Sequence, residues 1–327
     1  MSQNNYKPIG GFFELELPIV DEGEGYHKNA FALTTGRACI HTILKIEKPK
    51  LVYVPFYSCY ALYEPMERLG VKVIFYPINE LLEPVSIPNL KVGEMYIYIN
   101  YFGLKNKLCN DLAAKYGSRM IIDNTHNFFN YGYKDSYSFT SARKYFGVPD
   151  GAYLYGGYLN DIDRNQNISI SHNVKRLEGF LESAYKDYLK AEDRFDIDIL
   201  RISTISERLL GAVDYNFVSN KRIENYNYLH NALKISNDFD FDLVINNDTV
   251  PFCYPYIPSK YIEKKSFHKI NIFIPTLWPD ILDRNDNLSF SFEKNLVKKT
   301  LPLPIDHRYS IKDMMIIINL IKKELVE

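Results

Sequence analysis

The stretch Tyr137-Ser-Phe-Thr-Ser-Ala-Arg-Lys-Tyr-Phe-Gly-Val-Pro-Asp-Gly-Ala-Tyr-Leu-Tyr155 decides the fold. Two strand-like runs, Ser136–Ser141 and Ala152–Tyr155, flank a turn that carries Lys144, and Gly147, Pro149 and Gly151 shape its backbone. Upstream, Met120-Ile-Ile-Asp123 reads as a buried strand ending on a carboxylate. Further apolar runs at Leu51–Pro55, Val71–Tyr76 and Met95–Asn100 alternate with helical patterns at Gly36–Ile46, Ser58–Leu69 and Asn106–Tyr116. That alternation predicts an α/β fold with crossover helices. Pro65 is expected to kink the second helical pattern or to mark its true start.

After Gly157 the pattern changes. Charged helices are expected around Val174–Ala191, Ile199–Leu210 and Phe217–Leu233, then short strands at Leu243–Ile245 and Ile270–Phe273. Ser310 and Asp313 form a capping box for a closing helix, with Ile311, Met314, Met315, Ile318 and Ile321 as its apolar stripe. This suggests a large α/β domain over 1–212, including an N-terminal arm, and a small α+β domain over 213–327.

The 327 residues are 46 % hydrophobic and 24 % charged, enough for a sizeable core. With 39 basic and 40 acidic side chains the formal charge is −1, so there is no broad positive field for nucleic acid. No apolar stretch reaches the ~18–20 residues of a membrane span. The 4 cysteines show no metal-ligand spacing and no signal peptide precedes them, which reads as reduced thiols in a cytoplasmic protein without a metal.

A lysine held against Tyr145, Phe146 and Val148, downstream of a strand-ending aspartate, matches the needs of pyridoxal phosphate. Lysine bonds the cofactor's aldehyde carbon, and a carboxylate keeps its pyridine nitrogen protonated. Partial burial would depress the pKa of Lys144 and sharpen it as a nucleophile. His126, three residues past Asp123, is placed to reach the phenolic oxygen or to lie against the ring. Thr34-Thr35-Gly36-Arg37-Ala38 opens a helix whose free first-turn amides suit a phosphate, with Arg37 as a forked contact; an ordinary helix cap also accounts for this segment.

In this order the motifs resemble the DegT/DnrJ/StrS sugar aminotransferases, which have the aspartate-aminotransferase-like fold of type I pyridoxal-phosphate enzymes. Thr34–His41 resembles that family's Ser-Gly-Thr-Ala-Ala-Leu-His loop, and Val54–Val73 its Pro-x-x-Thr-aromatic segment. Asn100-Tyr-Phe-Gly103 stands for His-Leu-Tyr-Gly, Asp123-Asn-Thr-His126 for Asp-Ala-Ala-Gln/His, and Ser138–Gly151 for the lysine segment. The likeness covers Ala30–Gly157 and returns in Asn271–Pro279 and Leu301–Tyr309.

The resemblance implies Lys144 as the cofactor lysine, Asp123 as partner of the pyridine nitrogen, and His126 on the phenolic side. Gly36, Arg37 and Ala38 would hold the phosphate with Ser138 or Ser141, and Asn216 would reach a partner subunit's phosphate, making a homodimer. The family's phosphate threonine is Arg37 here, and its ring-stacking aromatic falls at Cys59, leaving Tyr57, Tyr60 or Tyr101 as stand-ins. The implied reaction moves an amino group from an amino acid, glutamate by analogy, to a nucleotide-linked keto-sugar for surface polysaccharide. The alternatives are dehydratase-like chemistry, against which the retained Lys144 argues, and a non-catalytic binding module.

Overall fold

The computed structural model describes residues 13–19, 25–239, 245, 249–285 and 290–326. In chain order its elements are β1 (Phe31–Leu33), α1 (Gly36–Glu47), β2 (Leu51–Pro55), α2 (Tyr60–Arg68), β3 (Lys72–Tyr76), β4 (Glu94–Ile99) and α3 (Asn106–Tyr116). They continue with β5 (Met120–Asp123), β6 (Tyr137–Ser141), β7 (Ala152–Tyr155), α4 (Ser171–Leu177), α5 (Leu181–Glu192), α6 (Thr204–Gly211) and α7 (Tyr215–Leu233). The last are β8 (Tyr254–Tyr256), α8 (Lys264–His268), α9 (Ser291–Lys299), β9 (Leu301–Leu303) and α10 (Ile311–Val326).

One sheet runs β1-β7-β6-β5-β4-β2-β3. Strands β3, β2, β4, β5 and β6 are parallel, whereas β7 runs antiparallel to both β6 and β1. The central strands are continuous apolar runs because both faces are covered: all of β5 and β6 is buried. Parallel strands align their carboxyl ends on one edge, where open α/β sheets bind ligands. Asp123 ends β5, Asn100 follows β4, and Lys144 lies just past β6, so the register brings the sequence's candidates to that edge.

Pro65 lies within α2, which begins before it at Tyr60; the proline forgoes one amide bond and the helix continues to Arg68. The helix expected over Val174–Ala191 is two helices, α4 and α5, broken at Gly179 with φ +85°. The one expected from Ile199 starts only at Thr204, where Ser203 caps it by accepting from the Ser206 amide (3.3 Å). Its predicted first turn is instead extended backbone that bridges Leu33 and Arg164 at Arg201. Ile270–Phe273 forms no strand: it leaves α8 through a turn in which Asn271 adopts φ +61°. Of the strand expected at Leu243–Ile245, the first two residues lie outside the described residues.

The closing helix forms as expected. Asp313 Oδ2 accepts from the amide and the hydroxyl of Ser310, both at 2.7 Å. Its stripe is shifted by a fraction of a turn: Met315 is 47 % exposed, and Ile317 joins Met314, Ile318 and Ile321 in the core. The β8–β9 pair and α10 pack with α7, and their apolar side chains join those of the large sheet in one continuous core. Among the described residues no helix is long and apolar enough to cross a membrane.

Candidate active site

Lys144 Nζ donates to Thr125 Oγ1 at 2.9 Å, and the Thr125 amide donates to Asp123 Oδ1 at 2.8 Å. The amine and the carboxylate thus meet across a single threonine. Thr125 bonds the Asp123 carboxylate through its side chain as well as its amide. Burial pushes Asp123 above the usual carboxylate range, and the nearby Lys144 charge partly offsets this. Burial lowers Lys144, and Asp123 opposes that shift.

Lys144 is exposed to solvent through a cavity of about 520 Å3 that its side chain lines. Asp123, Thr125 and His126 stand behind that wall rather than on it. A lysine lining an open cavity, with a buried carboxylate behind it, fits pyridoxal phosphate.

The Phe102 amide donates to His126 Nδ1 at 3.3 Å, which puts the ring proton on Nε2. Burial and the Lys144 charge hold this imidazole neutral, well below its ordinary range. Nearly parallel rings pack against it, Phe252 at 4.4 Å and Trp278 at 5.5 Å between centroids. His126 therefore does not offer a face to a cofactor ring; its free Nε2–H edge is the part that can donate. An asparagine cluster fixes the turn that carries it: Asn100 donates to Asn124 (3.0 Å) and Asn106 (2.8 Å), and Asn127 donates to Asn106 (2.8 Å).

At the start of α1, Thr35 Oγ1 accepts from the Ala38 amide at 3.1 Å. The expected Ala38 contact is thereby taken, and Gly36 and Arg37 keep the amides available to an anion. Gly36 packs so closely that a Cβ there would lie 3.2 Å from the Phe139 ring and 4.0 Å from Thr125 Cγ2, which places this turn beside the lysine site. The fork expected of Arg37 is diverted: its Nε donates to Glu64 at 2.6 Å.

The pleat of β6 separates the two candidate serines. Tyr137, whose hydroxyl donates to Glu47 (2.5 Å), and Phe139, against Gly36, face α1, so Ser141 shares their side. Ser138 is on the opposite face with Ser136, which donates to carbonyls of α3 and the turn after it. Ser138 Oγ is buried there with no partner among the described residues and is not directed to the α1 terminus.

None of the tyrosine stand-ins is free to stack. Tyr60 is 44 % exposed on the outside of α2, and Tyr101 is fully buried with its hydroxyl on the Tyr57 carbonyl (2.9 Å). Tyr57 is buried between Tyr101 and Trp278. Cys59 does lie close to the lysine–aspartate pair, which perturbs its thiol after burial has raised it. Asn216 is exposed at the start of α7. Sequence reading missed Thr125, Phe252, Trp278, Arg222 and Arg308, although Trp278 sits inside the tail segment that carried the resemblance.

The sheet order and its covering helices match the aspartate-aminotransferase-like fold of type I pyridoxal-phosphate enzymes. The chain has the fold of solved DegT/DnrJ/EryC1/StrS sugar aminotransferases. A DegT DnrJ EryC1 StrS aminotransferase from Brucella abortus matches with TM-score 0.60 and 16 % identity, over 90 % of this chain and 85 % of that one. NtdA from Bacillus subtilis, solved with bound cofactor PMP, matches with TM-score 0.61 and 13 % identity, over 91 % and 73 %. Helicobacter pylori PseC, an aminotransferase of pseudoaminic acid biosynthesis, matches with TM-score 0.59 and 12 % identity, over 90 % and 86 %. By sequence, no family model and no curated protein matches the chain.

Proposed function

We propose that this protein is a pyridoxal-phosphate-dependent aminotransferase that moves an amino group from an amino acid, glutamate by analogy, to a nucleotide-linked keto-sugar. The observation that carries the reading is the meeting of Lys144 and Asp123 across Thr125 beside an open cavity. The fold shared with sugar aminotransferases supports the substrate class.

In this reading Asp123 Oδ2 accepts from the pyridine N–H, and His126 Nε2 donates to the phenolic oxygen. The Gly36 and Arg37 amides and Ser141 Oγ hold the phosphate, helped by the positive end of α1. Bound there, pyridoxal phosphate supplies an aldehyde for the donor amine and a protonated ring that accepts electrons. Lys144, lowered by burial, is the base: its Nζ takes the proton from the donor carbon and returns it on the other side of the transfer. Phe252 lines the cavity beside Lys144, and with Trp278 it packs against the His126 ring and fixes its orientation. The active form is a homodimer in which Asn216 reaches the partner's phosphate.

The test is spectroscopic. Wild-type protein mixed with pyridoxal phosphate gains a visible absorbance band, and borohydride fixes the cofactor's mass on the peptide containing Lys144. Lys144→Ala abolishes both. An unlabelled Lys144 in a protein that stays colourless overturns the assignment.

A further inference from the structure

Thr125 is the side chain through which Lys144 and Asp123 touch, and its single hydroxyl proton fixes the direction of both bonds. The proton goes to Asp123, because a carboxylate can only accept. The oxygen is left to accept in turn, and it takes an N–H of Lys144 Nζ at 2.9 Å. Among the described residues no other hydrogen-bond acceptor reaches Nζ.

The threonine is held on every side that matters. It is 8 % exposed, and its amide is bound to Asp123 Oδ1 at 2.8 Å. The residue before it is pinned to β6, with the Asn124 amide donating to the Phe139 carbonyl (2.8 Å) and Thr140 Oγ1 donating to the Asn124 carbonyl (2.9 Å). Lys144 lines the cavity while Thr125 stands behind it. An amine that gives one N–H backward to Thr125 keeps its lone pair off the threonine and free for the cavity. The Asp-Ala-Ala-Gln/His pattern that Asp123–His126 resembles has alanine at this place, so the hydroxyl is a feature of this chain.

We infer that Thr125 is a positioning residue: its hydroxyl, oriented by Asp123, holds the free amine of Lys144 with the lone pair toward the cavity. This deepens the aminotransferase reading, in which Lys144 moves a proton while it is not bonded to the cofactor. The titratable groups that face Lys144 are Asp123 of β5, Cys59 before α2, Cys253 before β8 and Arg143 of its own turn, and His126 feels its charge. None of these takes an N–H of Lys144 among the described residues. A hydroxyl oxygen bonds an ammonium more strongly than an amine, so removing it favours the neutral form.

The experiment uses the intact chain without cofactor. Trace acetic anhydride competes for its amines over a pH series from about 6 to 11, and mass spectrometry of the Lys144 peptide gives its titration midpoint and the rate constant of the neutral amine. Thr125→Val removes the hydroxyl at constant shape, Thr125→Ala removes it without adding bulk, and Thr125→Ser keeps it. Expected in Thr125→Val and Thr125→Ala are a midpoint about one pH unit below wild type and a rate constant at least about threefold lower. Thr125→Ser should keep both wild-type values. An unchanged or raised midpoint in a folded Thr125→Val or Thr125→Ala overturns the inference. If neither folds, Thr125→Ser decides: wild-type values support the inference, and a displaced midpoint overturns it. The visible band of wild type with pyridoxal phosphate is read separately. Midpoints that shift as expected in a protein without the band uphold the Thr125 contact and count against the aminotransferase reading. A protein with the band and unmoved midpoints does the reverse.

Discussion

Asp123 and Lys144 illustrate how a site can oppose the stability of the chain that holds it. Burial disfavours both charges, raising the acid and lowering the base, and each only partly rescues the other. The folded-state cost of Asp123 is absent below its ordinary value of 3.8 and sets in as pH rises to its raised folded value. The cost of Lys144 is present below its lowered folded value and fades as pH climbs toward the ordinary 10.5. Between those limits both costs apply. Without added cofactor, the double variant Asp123→Asn/Lys144→Met should therefore unfold at a higher temperature than wild type near neutral pH. The advantage should shrink toward either extreme. Lys144→Met alone should gain less, because it leaves the Asp123 carboxylate uncompensated. Thermal melts at a series of pH values measure this; a wild type more stable than the double variant at neutral pH would contradict the sign.

The secondary-structure elements carry a sharper consequence, because the β6 pleat puts two serines three residues apart on opposite faces of the sheet. Ser141→Ala should weaken retention of pyridoxal phosphate by about tenfold, the worth of one hydrogen bond to an anion, whereas Ser138→Ala should leave it unchanged. Equilibrium dialysis of the two variants decides, and equal losses would move the phosphate away from the α1 terminus. A second element-level prediction concerns Gly103, which holds φ +78° and whose added Cβ would lie 2.4 Å from the His126 carbonyl oxygen. Gly103→Ala should cost about 2 kcal/mol or more in urea unfolding, because neither the strained backbone nor the buried His126 turn can give way. Local pattern made this part of the chain readable: strands β2 to β7 follow their apolar runs, and Asp123 and Lys144 sit at strand ends visible in sequence. The break at Gly179 was readable too, but continuous charge periodicity on both sides hid it. Arg222, Phe252 and Trp278 were not readable, because a buried arginine looks in sequence like any solvated one. Only the packing of α7 and the residues around β8 against the lysine turn, dozens of positions away in the chain, gives them meaning.

For the molecule as a whole, the distribution of surface apolar groups argues for a second copy of the chain. Leu177, Phe180 and Tyr185 on the α4–α5 pair are 83 %, 63 % and 62 % exposed, and Phe217 at the start of α7 is 54 % exposed. The charge of −1 supplies little repulsion to keep such surfaces apart. Asn216, beside Phe217, has a side chain with no hydrogen-bond partner among the described residues, so its removal costs the isolated chain nothing visible in the structure. If the exposed α7 terminus completes a neighbouring phosphate site, sedimentation equilibrium should give twice the 38.2 kDa chain mass at micromolar concentration. Asn216→Ala should then keep both that mass and the wild-type melting temperature without cofactor, yet release pyridoxal phosphate about tenfold faster. A single-chain mass with full cofactor retention would confine every phosphate contact to one subunit, and an Asn216→Ala protein indistinguishable from wild type in cofactor release would remove this residue from the site while leaving Lys144 and Asp123 untouched.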